Sequence, residues 1–158
     1  MRSRPYATSF LICERVLQEQ DGVLSAIRII DGVGVPELSV PGGTQFLYPL
    51  TILIMLKSDN FKGACRVTLK ATRPSGKEMP PQQMAMSLEE GKGQNTVIQA
   101  NIAFEEEGVY WFELLLNDEP VAKTPLSVVQ APKKPAESAA PAQLEQSPSP
   151  KGSGRQAQ

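Results

Sequence analysis

Apolar and polar residues alternate with a two-residue period in short runs along most of the chain, which is the pattern of strands that bury one face. The cleanest run covers 96–104, where Ile98, Ala100, Ile102 and Phe104 fall on one side and Gln99, Asn101 and Glu105 on the other. Cys65, Val67, Leu69 and Ala71 alternate in the same way with Arg66, Thr68, Lys70 and Thr72. Helical spacing is hard to find. Further strands are expected over 6–14, 23–31, 46–57, 108–116 and 121–129, with a weaker one over 82–88. Arg73-Pro74-Ser75-Gly76-Lys77 places proline where a type I turn needs its fixed φ, and glycine where a positive φ follows, so a hairpin is expected there. Asn117-Asp118-Glu119-Pro120 closes a second hairpin between 108–116 and 121–129. A density of about seven to nine short antiparallel strands in one all-β domain is that of a β-sandwich, with a closed barrel as the alternative.

Two segments break the alternation. Residues 32–45, GVGVPELSVPGGTQ, hold four glycines and two prolines and are expected to form a long connection between sheets, without a ladder of their own. Their glycines do not spell a phosphate cradle: no Lys-Ser/Thr follows Gly42-Gly43, and Gly32 and Gly34 lack the Gly-x-Gly-x-x-Gly register. Residues 131–158 are rich in Pro, Ala, Ser and Gln, with Leu144 as their only large apolar side chain. Such a segment cannot offset its ordering entropy by burial, so a disordered tail is expected after a single domain over residues 1–130.

Glu105, Glu106 and Glu107 precede Gly108, and from Gly108 onward Tyr110, Phe112, Leu114 and Leu116 share one strand face. The glutamates and Gly108 then form the corner by which the chain crosses between sheets. The arrangement resembles the tyrosine corner of immunoglobulin-like sandwiches, in which a tyrosine opening the penultimate strand bonds its hydroxyl to backbone at that corner. Phe112 stands where antibody domains place a disulfide cysteine. Three consecutive carboxylates at a corner cannot converge on one ion, and their spacing lacks the regular loop of a calcium hand, so a solvated corner is expected. Glu89 and Glu90 beside Gly91-Lys92-Gly93 read as a hairpin tip.

Charge changes the picture by exclusion. The 16 basic and 17 acidic residues nearly cancel, so no long-range field draws the chain to a nucleic-acid backbone or an anionic membrane. The longest apolar stretch, around 50–56, is far shorter than the ~20 residues of a membrane helix. The apolar residues at 10–13 are cut off by Glu14 and Arg15, so no export signal and a cytoplasmic location are expected. In that compartment Cys13 and Cys65 are expected as buried free thiols. The chain has no histidine, which removes the usual general base near neutral pH and the commonest metal ligand. No enzyme, cofactor or metal site is expected, and carboxylates such as Glu14 or Asp31 sit in no spacing that supports catalysis.

Five apolar residues fall on the outward sides of their strands. Trp111 and Leu115 lie opposite the Tyr110 face, and Leu47, Leu53 and Met55 lie opposite Tyr48, Leu50, Ile52, Ile54 and Leu56. In an immunoglobulin-like order the strands 46–57 and 108–116 are neighbours in one sheet, so these five residues are expected to form one apolar patch for self-association or docking of a protein partner. The alternative is that 32–45 or 78–88 folds over them. A rival function is a small-ligand or carbohydrate-binding sandwich that uses the 32–45 loop, with the ligand unknown.

FLICERV at 10–16, LSAIRIIDGV at 24–33 and GVYWFELLLNDEPVAKTPLSVV at 108–129 resemble a family of small bacterial proteins of unknown function with an immunoglobulin-like β-sandwich. The resemblance covers about residues 5–129. It implies a fold and a bacterial source, and it carries no catalytic residues to transfer.

Overall fold

The computed structural model of the chain describes residues 4–132, and the tail expected over 131–158 lies, from 133 onward, outside the described residues. Nine strands follow in order: β1 Tyr6–Gln18, β2 Leu24–Ile29, β3 Gly32–Val35, β4 Leu47–Lys57, β5 Gly63–Thr72, β6 Gln82–Leu88, β7 Gly93–Ala103, β8 Gly108–Leu116 and β9 Glu119–Gln130. No helix occurs among the described residues. The strands form a four-stranded sheet, β2-β1-β4-β7, and a five-stranded sheet, β3-β9-β8-β5-β6. All neighbours are antiparallel except β3, which runs parallel to β9. The architecture is an immunoglobulin-like β-sandwich.

The two-residue period determines what lies between the sheets. Ile12 and Leu50, Ile52, Ile54 and Leu56 come from one sheet, and Val67, Leu69, Phe112, Leu114, Leu126 and Val128 from the other; all are buried. Branched aliphatic and aromatic side chains fill a pleated surface well, so each strand gains most by turning these residues inward. Asn117 and Asp118 join β8 to β9 with φ of 49° and 68°, the pair of left-handed residues that a type I′ hairpin requires. The Asn117 side chain also accepts a 2.9 Å hydrogen bond from the Arg66 amide, tying this tip to β5. Gly76, at φ 85°, closes the turn between β5 and β6, with its amide donating to Arg73 O.

Three expectations need correction. Residues 32–45 are not wholly without a ladder, since Gly32–Val35 pairs with Ser127–Gln130 as an edge strand and buries Val33 and Val35. The segment after β6 is no hairpin tip, because β6 and β7 belong to different sheets; the crossover is held by Gly91 N donating to Asp59 O and Ser58 N donating to Lys92 O. Finally, β4 and β8 are not neighbours and lie in opposite sheets. Alternation reveals which face of a strand is buried but carries no information on which strand lies beside it.

Candidate functional site: the acidic corner and the two outer faces

At the corner the chain leaves β7, turns through 104–107 and opens β8 at Gly108 with φ 128°, a conformation open to glycine alone. A Cβ at Gly108 would lie 2.9 Å from the Pro74 ring. Tyr110 is fully buried and packs edge-on against Phe104, with ring centroids 5.0 Å apart. Its hydroxyl accepts from the amides of Glu105 (3.3 Å) and Glu106 (3.1 Å) and donates to Glu106 O (3.2 Å). Burial pushes its phenol pKa upward.

Each of the three glutamates has its own partner. Glu105 pairs with Arg73, the two side chains being 16% and 14% exposed. Glu106 accepts from the Ser75 amide (3.0 Å) and hydroxyl (2.8 Å), and Glu107 accepts from the Gln130 amide. The expected solvated corner is corrected at Glu105, which is largely buried in its ion pair, while Glu106 and Glu107 stay half exposed and exposed as they accept these bonds. Consecutive residues at a bend point in different directions, and here each direction meets a donor from the β5–β6 turn or from the end of β9. Among the described residues no three of Cys, Asp and Glu are grouped to hold a metal ion.

The outer faces of the two sheets differ in chemistry. On the five-stranded sheet the register sets Thr72, Trp111 and Pro125 in one row, Lys70, Glu113 and Lys123 in the next, and Thr68, Leu115 and Pro120 beyond. The middle row alternates in charge, and Lys123 Nζ lies 4.7 Å from the Trp111 ring centroid. Trp111 is 41% exposed and Leu115 only 7%. On the four-stranded sheet the rows are Ile29, Cys13, Thr51 and Gln99; then Leu11, Leu53 and Val97; then Ser9, Met55 and Asn95. Leu53 is 4% exposed and Met55 half-buried, while Ile29 and Val97 are 65% and 40% exposed. Leu47, 61% exposed, stands opposite Ala103, two rows from Thr51.

The five residues expected to make one patch are thus divided. Trp111 and Leu115 lie on one side of the sandwich, and Leu47, Leu53 and Met55 on the other. Leu53 and Leu115 are buried. The structure adds Leu11, Ile29 and Val97 to the apolar face. Val97 shares its side of β7 with Gln99 and Asn101, and only the register sets Leu53 and Leu11 beside it.

Cys13 and Cys65 are buried and unpaired with each other, one in each sheet, and desolvation raises both thiol pKa values. At the open edge between the sheets, near the corner, lies a cleft of about 220 Å³ with Ala71, Ala100, Phe112, Asn101 and the Arg73–Glu105 pair among its walls.

Solved structures share the fold at low identity. An alkylpurine DNA glycosylase of Pseudomonas fluorescens, bound to DNA containing an abasic site analogue, matches with TM-score 0.52 and 12% identity over 80% of this chain. The matched region is 30% of the glycosylase. A β-glucosidase of Listeria innocua matches at TM-score 0.48 and 9% identity, over 80% of this chain and 16% of the enzyme. An immunoglobulin-like protein of Pseudomonas aeruginosa matches at TM-score 0.42 and 14% identity, over 80% of this chain and 97% of its own. No curated protein matches the sequence. Residues 8–129 match DUF6941, a family of unknown function, and the chain belongs to that family.

Proposed function

We propose that the chain is a non-enzymatic interaction module that docks through the outer face of its four-stranded sheet. The observation that carries this reading is the apolar row on the outer face of the four-stranded sheet, Leu11–Leu53–Val97 flanked by Ile29 and Met55 and without a charged residue; the other outer face has the Lys70–Glu113–Lys123 row beside its exposed Val109, Trp111 and Val129. Exposed apolar surface of this kind is what protein contacts use. The corner carboxylates are latched, and the two charged groups of the cleft, Arg73 and Glu105, pair with each other; Arg73 Nε is buried without a hydrogen-bond partner among the described residues.

The 32–45 loop offers little to a ligand. Ser39 N donates to Phe104 O, the Ser39 hydroxyl exchanges hydrogen bonds with Phe46 backbone, and Val40 N donates to Thr44 O. Two buried thiols without a disulfide support a reducing, cytoplasmic location. No helix among the described residues is long and apolar enough to cross a membrane.

The test compares immobilised wild type, Ile29→Lys/Val97→Lys and Trp111→Lys in native-cell extract, with light scattering on each. Association retained by Trp111→Lys and lost in the double variant is the expected result. Equal behaviour of all three overturns the proposal.

A further inference from the structure

The sandwich has four edge strands, and β2 and β3 are blunted against further pairing. In β2, Arg28 sits at φ 52° and interrupts the extended ladder. β3 has four residues, and β6 has seven and follows Pro80-Pro81. β7 differs, with eleven residues, GQNTVIQANIA, and neither a charge nor a proline. It pairs with β4 along its full length on one side and has no strand neighbour on the other among the described residues. Sheet edges that stay unpaired are ordinarily blunted by charge, proline, bulge or shortness. β7 carries none of these.

We infer that the exposed edge of β7 pairs antiparallel with β7 of a second copy of this chain, about a two-fold axis at Val97, which joins two four-stranded sheets into one of eight strands. This contact lies at the edge of the docking face proposed above, extends that face rather than covering it, and rests on that reading for its apolar continuity. A two-fold axis perpendicular to an antiparallel pair must pass through a residue that faces itself, and outward side chains must meet outward side chains. Centring on Val97 places it against Val97 of the second copy. The row Leu11–Leu53–Val97 then runs unbroken into its symmetry mate. Asn95 faces Gln99 of the second copy, so amide meets amide, and Gly93 faces Asn101 of the second copy. Lys57, whose ammonium lies over Gly93, comes beside that asparagine, with no like charge opposite. Centring one residue further, on Ile98, would instead oppose Val97 to a glutamine.

Cysteine trapping reads the register directly. Val97, Asn95 and Gln99 are all exposed, and the native thiols are buried, so the substitutions leave the fold intact and the background low. On mild oxidation Val97→Cys is expected to form a disulfide-linked dimer in most of the protein. An equimolar mixture of Asn95→Cys and Gln99→Cys is expected to cross-link as a heterodimer. Each of these alone is expected to link at least tenfold less, because its own copy lies four residues, roughly 14 Å, along the paired strand. Wild type under the same oxidation reports the background. A dimeric mass by light scattering with no Val97→Cys link refutes the edge register while leaving the docking face standing. A monomeric mass at every concentration up to the solubility limit refutes the second copy as partner, and the extract comparison then decides the docking face separately.

Discussion

Replacing Tyr110 by Phe removes one oxygen and nothing else from the interior. That oxygen serves three backbone groups, accepting from two amides at 3.3 and 3.1 Å and donating to a carbonyl at 3.2 Å. A net hydrogen bond contributes about 0.5–1.5 kcal/mol, and the two amides share one acceptor at long distance, so the loss is about 2 kcal/mol rather than three full bonds. Glu105 and Glu106 are half-buried, so water replaces the hydroxyl only in part. With an unfolding entropy of ~2.1 cal/mol/K per residue, a domain of ~125 residues loses about 7 °C in Tm. Urea unfolding is expected to show a midpoint lower by about 1.3 M at an unchanged slope of ~1.5 kcal/mol/M. Tyr48→Phe is the control, because it keeps the ring that packs at 6.1 Å on Phe104 and removes a hydroxyl outside the corner; it is expected to cost less than ~0.5 kcal/mol. The phenol of Tyr110 has a folded pKa above its ordinary 10.0, chiefly through burial. Its contribution is therefore complete below that pH and disappears as pH rises through the folded value, so the gap between wild type and Tyr110→Phe narrows in alkali. Equal shifts for the two variants, or a gap that widens with pH, would refute the corner as described.

Other expectations follow from the same corner and from the thiols. Gly108→Ala combines a φ of 128° with a Cβ 2.9 Å from the Pro74 ring and is expected to destabilise by about 2–4 kcal/mol in urea titration; Pro74→Ala in that background recovers only the clash. Arg73→Met, which leaves Glu105 without its cation in a largely buried site, is expected to lose about 3 kcal/mol, and the Arg73→Met/Glu105→Gln double variant loses at least ~1 kcal/mol less than the sum, as measured by a double-mutant cycle. The Cys13 and Cys65 pKa values lie above 9.0 through desolvation, so stability is full below the unfolded thiol pKa and falls as pH rises through the folded values; the urea midpoint is expected to decline above about pH 9, less steeply in Cys13→Ala. A thiol reagent at neutral pH is expected to label urea-unfolded protein on the order of 100-fold faster than native protein.

The parts of this fold that depend on one strand at a time are legible from residue order. Alternation places Ile102, Phe104, Val67 and Phe112 inside, and all four are buried. The Asn117-Asp118 hairpin is also local, because its φ values follow from residue type. Pairing between distant strands is a different kind of information. Nothing along residues 47–57 states that their neighbours are β1 and β7 rather than β8, since any of these presents an apolar face and accepts the same backbone ladder. Trp111 and Leu53 both face outward, but from different sheets, and alternation does not distinguish the two. β3 is hidden for a related reason. Gly32 and Gly34 have no side chains to alternate with Val33 and Val35, so a four-residue strand looks like loop until β9 is seen beside it.

The acidic run shows how charge can be structural without a hydrophobic signal. A sandwich must turn its chain between sheets at a point where backbone amides lose their ladder partners, and unpaired buried amides are expensive. At this corner Tyr110 covers the amides of Glu105 and Glu106, while Glu106 and Glu107 supply acceptors to the amides of Ser75 and Gln130. The corner thereby satisfies donors from three separate segments with a few acceptor-rich side chains. Each of these carboxylates faces a donor that belongs to the fold. On the proposed reading the surface left for a partner is that of the two outer faces. The Lys70–Glu113–Lys123 row gains nothing from leaving water, whereas Ile29 and Val97 do. On the proposed reading a partner that covers both lies across the four-stranded sheet, because Ile29 on β2 and Val97 on β7 stand at its opposite edges. Pairing along the edge of β7, which has no strand neighbour among the described residues, extends the apolar row at Val97 and leaves Ile29 to that docking partner.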